Sequence, residues 1–171
     1  MSLARLRALV IFGVLVLAAA VAVTWTLMSD NQQGTASSKE CPPHAKRASL
    51  TIPEEKDVKI NVYNTTDRNG LAQATASKLK GVGFHILAVK QDPKGSVVHD
   101  AAQLRYGRKA VGSAQLLRAY VAGATTAYDP ERDDDTVDVV IGDGFSDVRG
   151  PTDVKEAEIS LGEPSAPPGT C

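Results

Sequence analysis

Aromatic residues make up only 5% of the 171 positions, so a core in this chain has to be built from Val, Leu, Ile and Ala. A small domain of modest stability is the expectation from such packing. No basic block exists either: Lys and Arg are scattered from Lys39 to Lys155 without interleaved aromatics, and the formal net charge is -1. With Arg5 and Arg7 set aside, 17 of the 19 basic residues face 20 acidic ones, which excludes a nucleic-acid footprint. The three histidines, His44, His85 and His99, are far apart, and none pairs with Cys, Asp or Glu at metal-ligand spacing. No metal or other cofactor is therefore expected. Ser96 and Ser113 each follow a glycine but lack the second glycine of a nucleophile elbow. Catalysis needs a nucleophile beside a base, or an acid and base of matched strength. No such constellation can be placed, so the expectation is a protein that binds and does not turn over.

What the sequence does contain begins with an uncharged apolar run from Ala8 to Met28. At about 1.5 Å per residue this helix would span roughly 30 Å, one hydrocarbon core. Arg5 and Arg7 precede the run and Asp30 follows it, so the positive-inside rule puts residues 1–7 in the cytoplasm and everything after the run outside. A cleaved signal peptide is the rival, because Ala18, Ala20 and Ala22 offer small-residue sites. The run continues past them through Trp25 and Leu27, which favours an uncleaved signal-anchor.

Residues 29–55 are polar and aperiodic and read as a solvated, extracytoplasmic tether. Cysteine is nearly absent: Cys41 stands in the tether and Cys171 behind a proline-rich tail, 148–171. Two cysteines flanking one domain in an oxidising compartment suggest a disulfide within the chain. Closing a loop of about 130 residues would stabilise by about 5 kcal/mol at most. Two separate thiols, or a bridge between chains, remain the alternatives.

The folded domain is expected over 56–147. Val58, Ile60 and Val62 alternate with polar neighbours, the pattern of a half-buried strand. Asn64 to Asn69 is a turn, with Asn69 expected to cap a helix beginning at Gly70 and carrying Leu71, Thr75, Leu79 and Val82 on one face. Lys78 and Lys80 suit its last turn, and Gly81 or Gly83 can end it. Phe84 to Val89 and Gln103 to Tyr106 read as strands, Lys109 to Val121 as a helix, and Thr136 to Ile141 as a fourth strand. The expected fold is α+β, βαββαβ, with two helices on one face of a four-stranded, mainly antiparallel sheet, preceded by one transmembrane helix. Four prolines from Pro151 to Pro168 argue against a long element in the tail, although Glu158 to Leu161 could add an edge strand.

Two exposed places are candidates for binding. Asn64, Thr65, Thr66 and Asn69 lie on a turn entering a helix N-terminus, where free amides can hold an anion; a plain capped turn is the blander reading. Arg105, Tyr106, Arg108 and Lys109 form a possible basic spot for a glycan or phosphate, or else a solvated strand end. The acidic run Asp133 to Asp135 lacks the alternating ligands of a calcium loop and reads as a solvated turn.

The strand ending in Asn64, the Gly70-Leu71-Ala72 helix start, the Gly83-Phe84 junction, Arg105-Tyr106-Gly107, and Val137 to Gly142 followed by Phe145 resemble the LytR C-terminal domain family. That module occurs behind the catalytic domain of LytR-CpsA-Psr cell-wall ligases and also alone on membrane anchors. The resemblance covers about Lys56 to Phe145 and implies a single-pass cell-membrane protein with its C-terminal domain outside, engaged in cell-wall assembly or envelope integrity. The implied partners are wall glycan or envelope proteins such as LytR-CpsA-Psr ligases. The ligase domain itself is missing, so the resemblance carries no phosphotransferase activity with it. A small envelope enzyme with an unrecognised site is the alternative.

Overall fold

The computed structural model describes Cys41 and residues 45–171. The expected anchor at Ala8 to Met28 and the tether as far as residue 40 lie outside the described residues. Among the described residues no helix is long and apolar enough to cross a membrane.

The elements are β1 (Lys59–Asn64), α1 (Leu71–Gly81), β2 (His85–Gln91), β3 (Ala102–Tyr106), α2 (Val111–Tyr120), β4 (Ala124–Tyr128), β5 (Thr136–Ile141) and α3 (Pro151–Leu161). The five strands form one sheet in the order β2-β1-β5-β3-β4. Strand β1 runs parallel to both β2 and β5, β3 runs parallel to β4, and only β3 with β5 is antiparallel. The expected four-stranded, mainly antiparallel sheet is thus corrected to five strands, mostly parallel. The physical reason is that α1 and α2 are each a crossover between neighbouring strands, and a crossover is what a parallel pair requires.

The missed strand, β4, has the sequence Ala-Thr-Thr-Ala-Tyr at the sheet edge, with both threonines exposed. It shows no apolar alternation. With β4 in place, β1-α1-β2 and β3-α2-β4 are two units running in opposite directions and stepping to opposite edges. Right-handed crossovers then put α1 and α2 on the same face. Beneath them Ile60, Val62, Leu104, Val137, Val139 and Ile141 are fully buried. The Phe84 ring meets Tyr120 of α2 edge-on, with centroids 4.8 Å apart. Tyr120 in turn donates a 2.7 Å hydrogen bond to Glu55, and burial followed by this carboxylate pushes its phenol pKa upward.

Register joins the core residues in rows, Ile86-Ile60-Val137-Tyr106 and Val89-Val62-Val139-Leu104. A bulge between the two rows leaves Leu87 half exposed on the outer edge, where it breaks the regular template that an edge strand offers.

The start of α1 differs from expectation. Asn69 does not cap it; Gly70, in the left-handed region at φ 76°, holds that position without a side-chain cap. Asn64 closes the turn instead: its amide donates to Arg68 O at 3.0 Å, and its Oδ1 accepts from the Thr66 N–H and hydroxyl. The tail also differs, for residues 151–161 form a helix. Pro151 occupies its first position, where the missing N–H has no helical partner to lose.

Cys41 and Cys171 are joined by a disulfide, Cα to Cα 5.8 Å. Beside it Lys46 and Thr170 form a short parallel bridge, with Cys171 N–H donating to Lys46 O and Ala48 N–H to Cys171 O. Ser49 continues onto the domain through Arg108 O and Gly112 N. The compact unit therefore runs from Cys41 to Cys171, and the stretch 46–49, expected within the tether, lies hydrogen-bonded against it.

Candidate functional site

Alternation along the strands sends Lys59, Asn61, Tyr63, Gln103, Arg105, Thr136, Asp138 and Val140 to the sheet face opposite α1 and α2. Register sets Asn61, Asp138 and Arg105 in one row and Tyr63, Val140 and Gln103 in the next. Two loops fold over this polar surface.

The first loop follows β2. Asp92 at its start is gripped by Arg105, Nη1 to Oδ1 at 2.9 Å and Nη2 to Oδ2 at 3.2 Å. The two side chains are only 2% and 9% exposed. Arg105 also donates to Gln103 Oε1 and Ser96 Oγ, both at 2.8 Å. Burial on its own would raise the Asp92 pKa; the Arg105 donors, with Ser96 and the Lys94 amide, outweigh it and hold the carboxyl down at about 2. On the same face Val140 is fully buried.

The second loop joins β4 to β5, and Arg132 is its anchor. Its guanidinium donates to both oxygens of Asp138 at 2.7 and 3.1 Å, to both oxygens of Asp134 at 3.0 Å, to Arg105 O at 3.3 Å, and to the Thr136 hydroxyl. Every N–H it carries is engaged. Gly107 makes this approach possible, since a Cβ there would stand 2.1 Å from Arg132 O. Asn61 adds a 2.8 Å hydrogen bond to Asp138, and Lys59 one to Asp135. The Tyr63 phenol is pushed upward by burial first and then by Asp138.

Between the loops lies an open groove of about 380 Å³ whose walls include Lys94 and Ser96 on one side and Asp129, Pro130 and Arg132 on the other, over Gln103. Lys94 has no carboxylate at ion-pair distance among the described residues. The groove can therefore offer an ammonium, the Ser96 hydroxyl and the Gln103 amide as contacts.

The residues expected to bind are dispersed. Asn64, Thr66, Arg105 and Tyr106, expected to be exposed, are buried at 6, 6, 8 and 9% exposure, a correction with a common cause. Each completes an internal contact: the turn for the first two, the ion pair for Arg105, and the helix side of the sheet for Tyr106, whose ring lies 6.0 Å from that of Tyr128. Thr65 donates its hydroxyl to Ile141 O at 2.7 Å, and Asn69 is exposed. Arg108 and Lys109 both reach Asp133, on the other side of Gly107 from Arg105. The basic spot is thus three separate environments.

The acidic turn is paired residue by residue. Asp133 meets Lys109 and Arg108 and Asp135 meets Lys59, which lowers both carboxyls' pKa; at Asp134 burial, which would raise it, is outweighed by the Thr136 hydroxyl and amide and then by Arg132. Among the described residues no cluster of His, Cys, Asp and Glu could hold a metal ion. Neither Asp92 nor Arg132 is among the residues that the sequence singles out for binding. The one signal for Arg132 is a lone cation inside the run Asp-Pro-Glu-Arg-Asp-Asp-Asp.

Comparison with known proteins gives three findings. The sequence model of the family described as LytR cell envelope-related transcriptional attenuator matches residues 57–145. The chain is 31% identical over 117 residues to the cell envelope integrity protein Cei of Mycobacterium tuberculosis, across 65% of this chain and 54% of that protein. It thus spans about half the length of the curated relative it matches. The crystal structure of the soluble domain of a conserved hypothetical secreted protein from Mycobacterium marinum shares the fold, with a TM-score of 0.57 and 24% identity over 76% of this chain and 90% of that one.

Proposed function

The chain belongs to the LytR C-terminal family, and from that premise we propose that it is a non-catalytic cell-envelope module, anchored in the membrane through residues 8–28, whose outer domain binds wall glycan across the helix-free face of its sheet. The observation that carries this reading is the internal matching of charge on that face. Arg105 with Asp92, Arg132 with Asp134 and Asp138, and Lys59 with Asp135 leave little field to attract an ionic polymer. A hydroxyl-rich chain needs no such field. It exchanges hydrogen bonds with water for hydrogen bonds with Lys94, Ser96 and Gln103 and lies against Pro130. The name of the mycobacterial relative, a cell envelope integrity protein, supports the envelope setting.

Sedimentation of residues 41–171 with purified cell wall tests the proposal. The wild type should pellet with the wall, and a Lys94→Ala variant, which removes a side chain with no partner inside the domain, should lose retention by about tenfold while its thermal transition stays put. No retention on wall, with capture of a membrane protein such as a LytR-CpsA-Psr ligase, would replace glycan by a protein partner. Multiple turnovers of a wall precursor, abolished by one polar substitution, would restore the enzyme reading.

A further inference from the structure

A second concavity lies where the end of α2, the start of β4 and the end of α3 meet. It measures about 230 Å³ and is lined by Arg118, Gly123, Ala124, Arg149, Ser160 and Leu161, among others. Charge pairing here differs from that around the two loops over the sheet. Arg105, Arg108 and Arg132 each hold a carboxylate, yet neither Arg118 nor Arg149 has one at ion-pair distance among the described residues. The acids of α3, Asp153, Glu156 and Glu158, do not line the space.

We propose that this pocket is an anion site for a phosphate ester, held between the Arg118 and Arg149 guanidiniums. Two helices end here, and their C-terminal carbonyls would ordinarily repel an anion. Four of those carbonyls already have side-chain donors. Arg149 Nη1 donates to Ala119 O at 2.9 Å and Arg118 O at 3.3 Å, and Gln115 Nε2 donates to Gly162 O at 2.8 Å and Leu161 O at 3.3 Å. The charged side chains that line the pocket are the two arginines, with Ser160 beside them. Arg118 makes a single hydrogen bond, to Gln115 Oε1 at 3.0 Å, so most of its fork is free. A carboxylate is satisfied by one guanidinium; two that converge from different elements match a tetrahedral anion of higher charge.

The site is independent of the groove on the sheet, and its test uses the full chain in nonionic detergent. Calorimetric titration with inorganic phosphate and with glucose 6-phosphate, at constant ionic strength, should give saturable binding of one ligand. Arg118→Gln should weaken it by about ten- to a hundredfold, the loss of one charged hydrogen-bonding partner. Because Arg149 also closes α2, Arg149→Lys serves as the second variant, keeping the charge while losing the fork, and a smaller loss is expected. Lys80→Gln, exposed on α1 and outside both concavities, should leave this affinity unchanged. Repeating the titration in micelles doped with phosphatidic acid separates the sources of phosphate. Competition marks a site that a lipid headgroup reaches, and an unchanged affinity marks one for a soluble ester. Absence of saturable binding, or equal affinity in the wild type and Arg118→Gln, would overturn the proposal.

Discussion

Arg105 and Asp92 close a two-point ion pair, 2.9 and 3.2 Å, between the middle of the sheet and the loop that follows β2. With side chains 9% and 2% exposed, the pair sits inside the protein and not on its rim. Such a pair adds little over an apolar substitute of the same shape, but either half alone is a buried, uncompensated charge.

Asp92→Ala should therefore destabilise the domain by about 3 to 5 kcal/mol, with a fall in Tm of at least about 10 °C. Arg105→Ala should do the same. Urea unfolding followed by circular dichroism measures both. A change within about 0.5 kcal/mol, the ordinary range for a surface substitution, would mean the pair is not buried in solution.

The same pair predicts a pH dependence. The Asp92 carboxyl is depressed from 3.8 to about 2 in the folded chain, so the unfolded state binds its proton first. Its contribution, about 2 kcal/mol, is complete above pH 4 and is lost as the pH falls from about 4 through 2. Denaturation midpoints at pH 5, 4, 3 and 2 should show that decline in the wild type. The portion due to Asp92 should be missing in Asp92→Asn.

Gly107→Ala places a methyl 2.1 Å from the Arg132 carbonyl oxygen, a backbone atom that cannot rotate away. The β4 to β5 loop must move, and a loss of about 1 to 3 kcal/mol follows. Hydrogen exchange should rise across residues 129–136 and not in α1. Unchanged exchange there would show that the loop is free to retreat.

Reduction, or Cys171→Ser, should lower stability by about 2 to 5 kcal/mol. It should also free the bridge between Lys46 and Thr170, so limited proteolysis should cut within residues 45–50. A wild-type chain that runs as a reducible dimer on a non-reducing gel would show that the cysteines pair between chains.

How far the sequence led depended on where each signal lay. Lys-Ile-Asn-Val-Tyr-Asn alternates cleanly because β1 is central with one covered face, and its burial follows that alternation residue by residue. Alternation reports which side is buried, not the direction of the neighbouring strand, so the parallel pairing was hidden. Edge strand β4 buries too little to leave a pattern. Pro151 read as a breaker because its effect depends on helical position, which only the preceding Gly150 decides. At the groove, the period of two in Gln103-Leu104-Arg105-Tyr106 already divides Arg105 from Tyr106. Its partner was beyond reach of any local rule, for Asp92 lies 13 residues away across a loop.

The disulfide beside the Lys46 and Thr170 bridge also gives the domain a mechanical property. A pull arriving from the N-terminal side at Cys41 meets a fork. One arm runs forward through Lys46 and Ser49 toward β1, and the other crosses to Cys171 and back through Thr170 toward α3. The hydrogen bonds between Lys46, Ala48 and Cys171 lace the arms together. Tension is thereby divided between the central strand and the last helix before it reaches the sheet, and neither end of the fold can be peeled away first while the sulfurs stay joined.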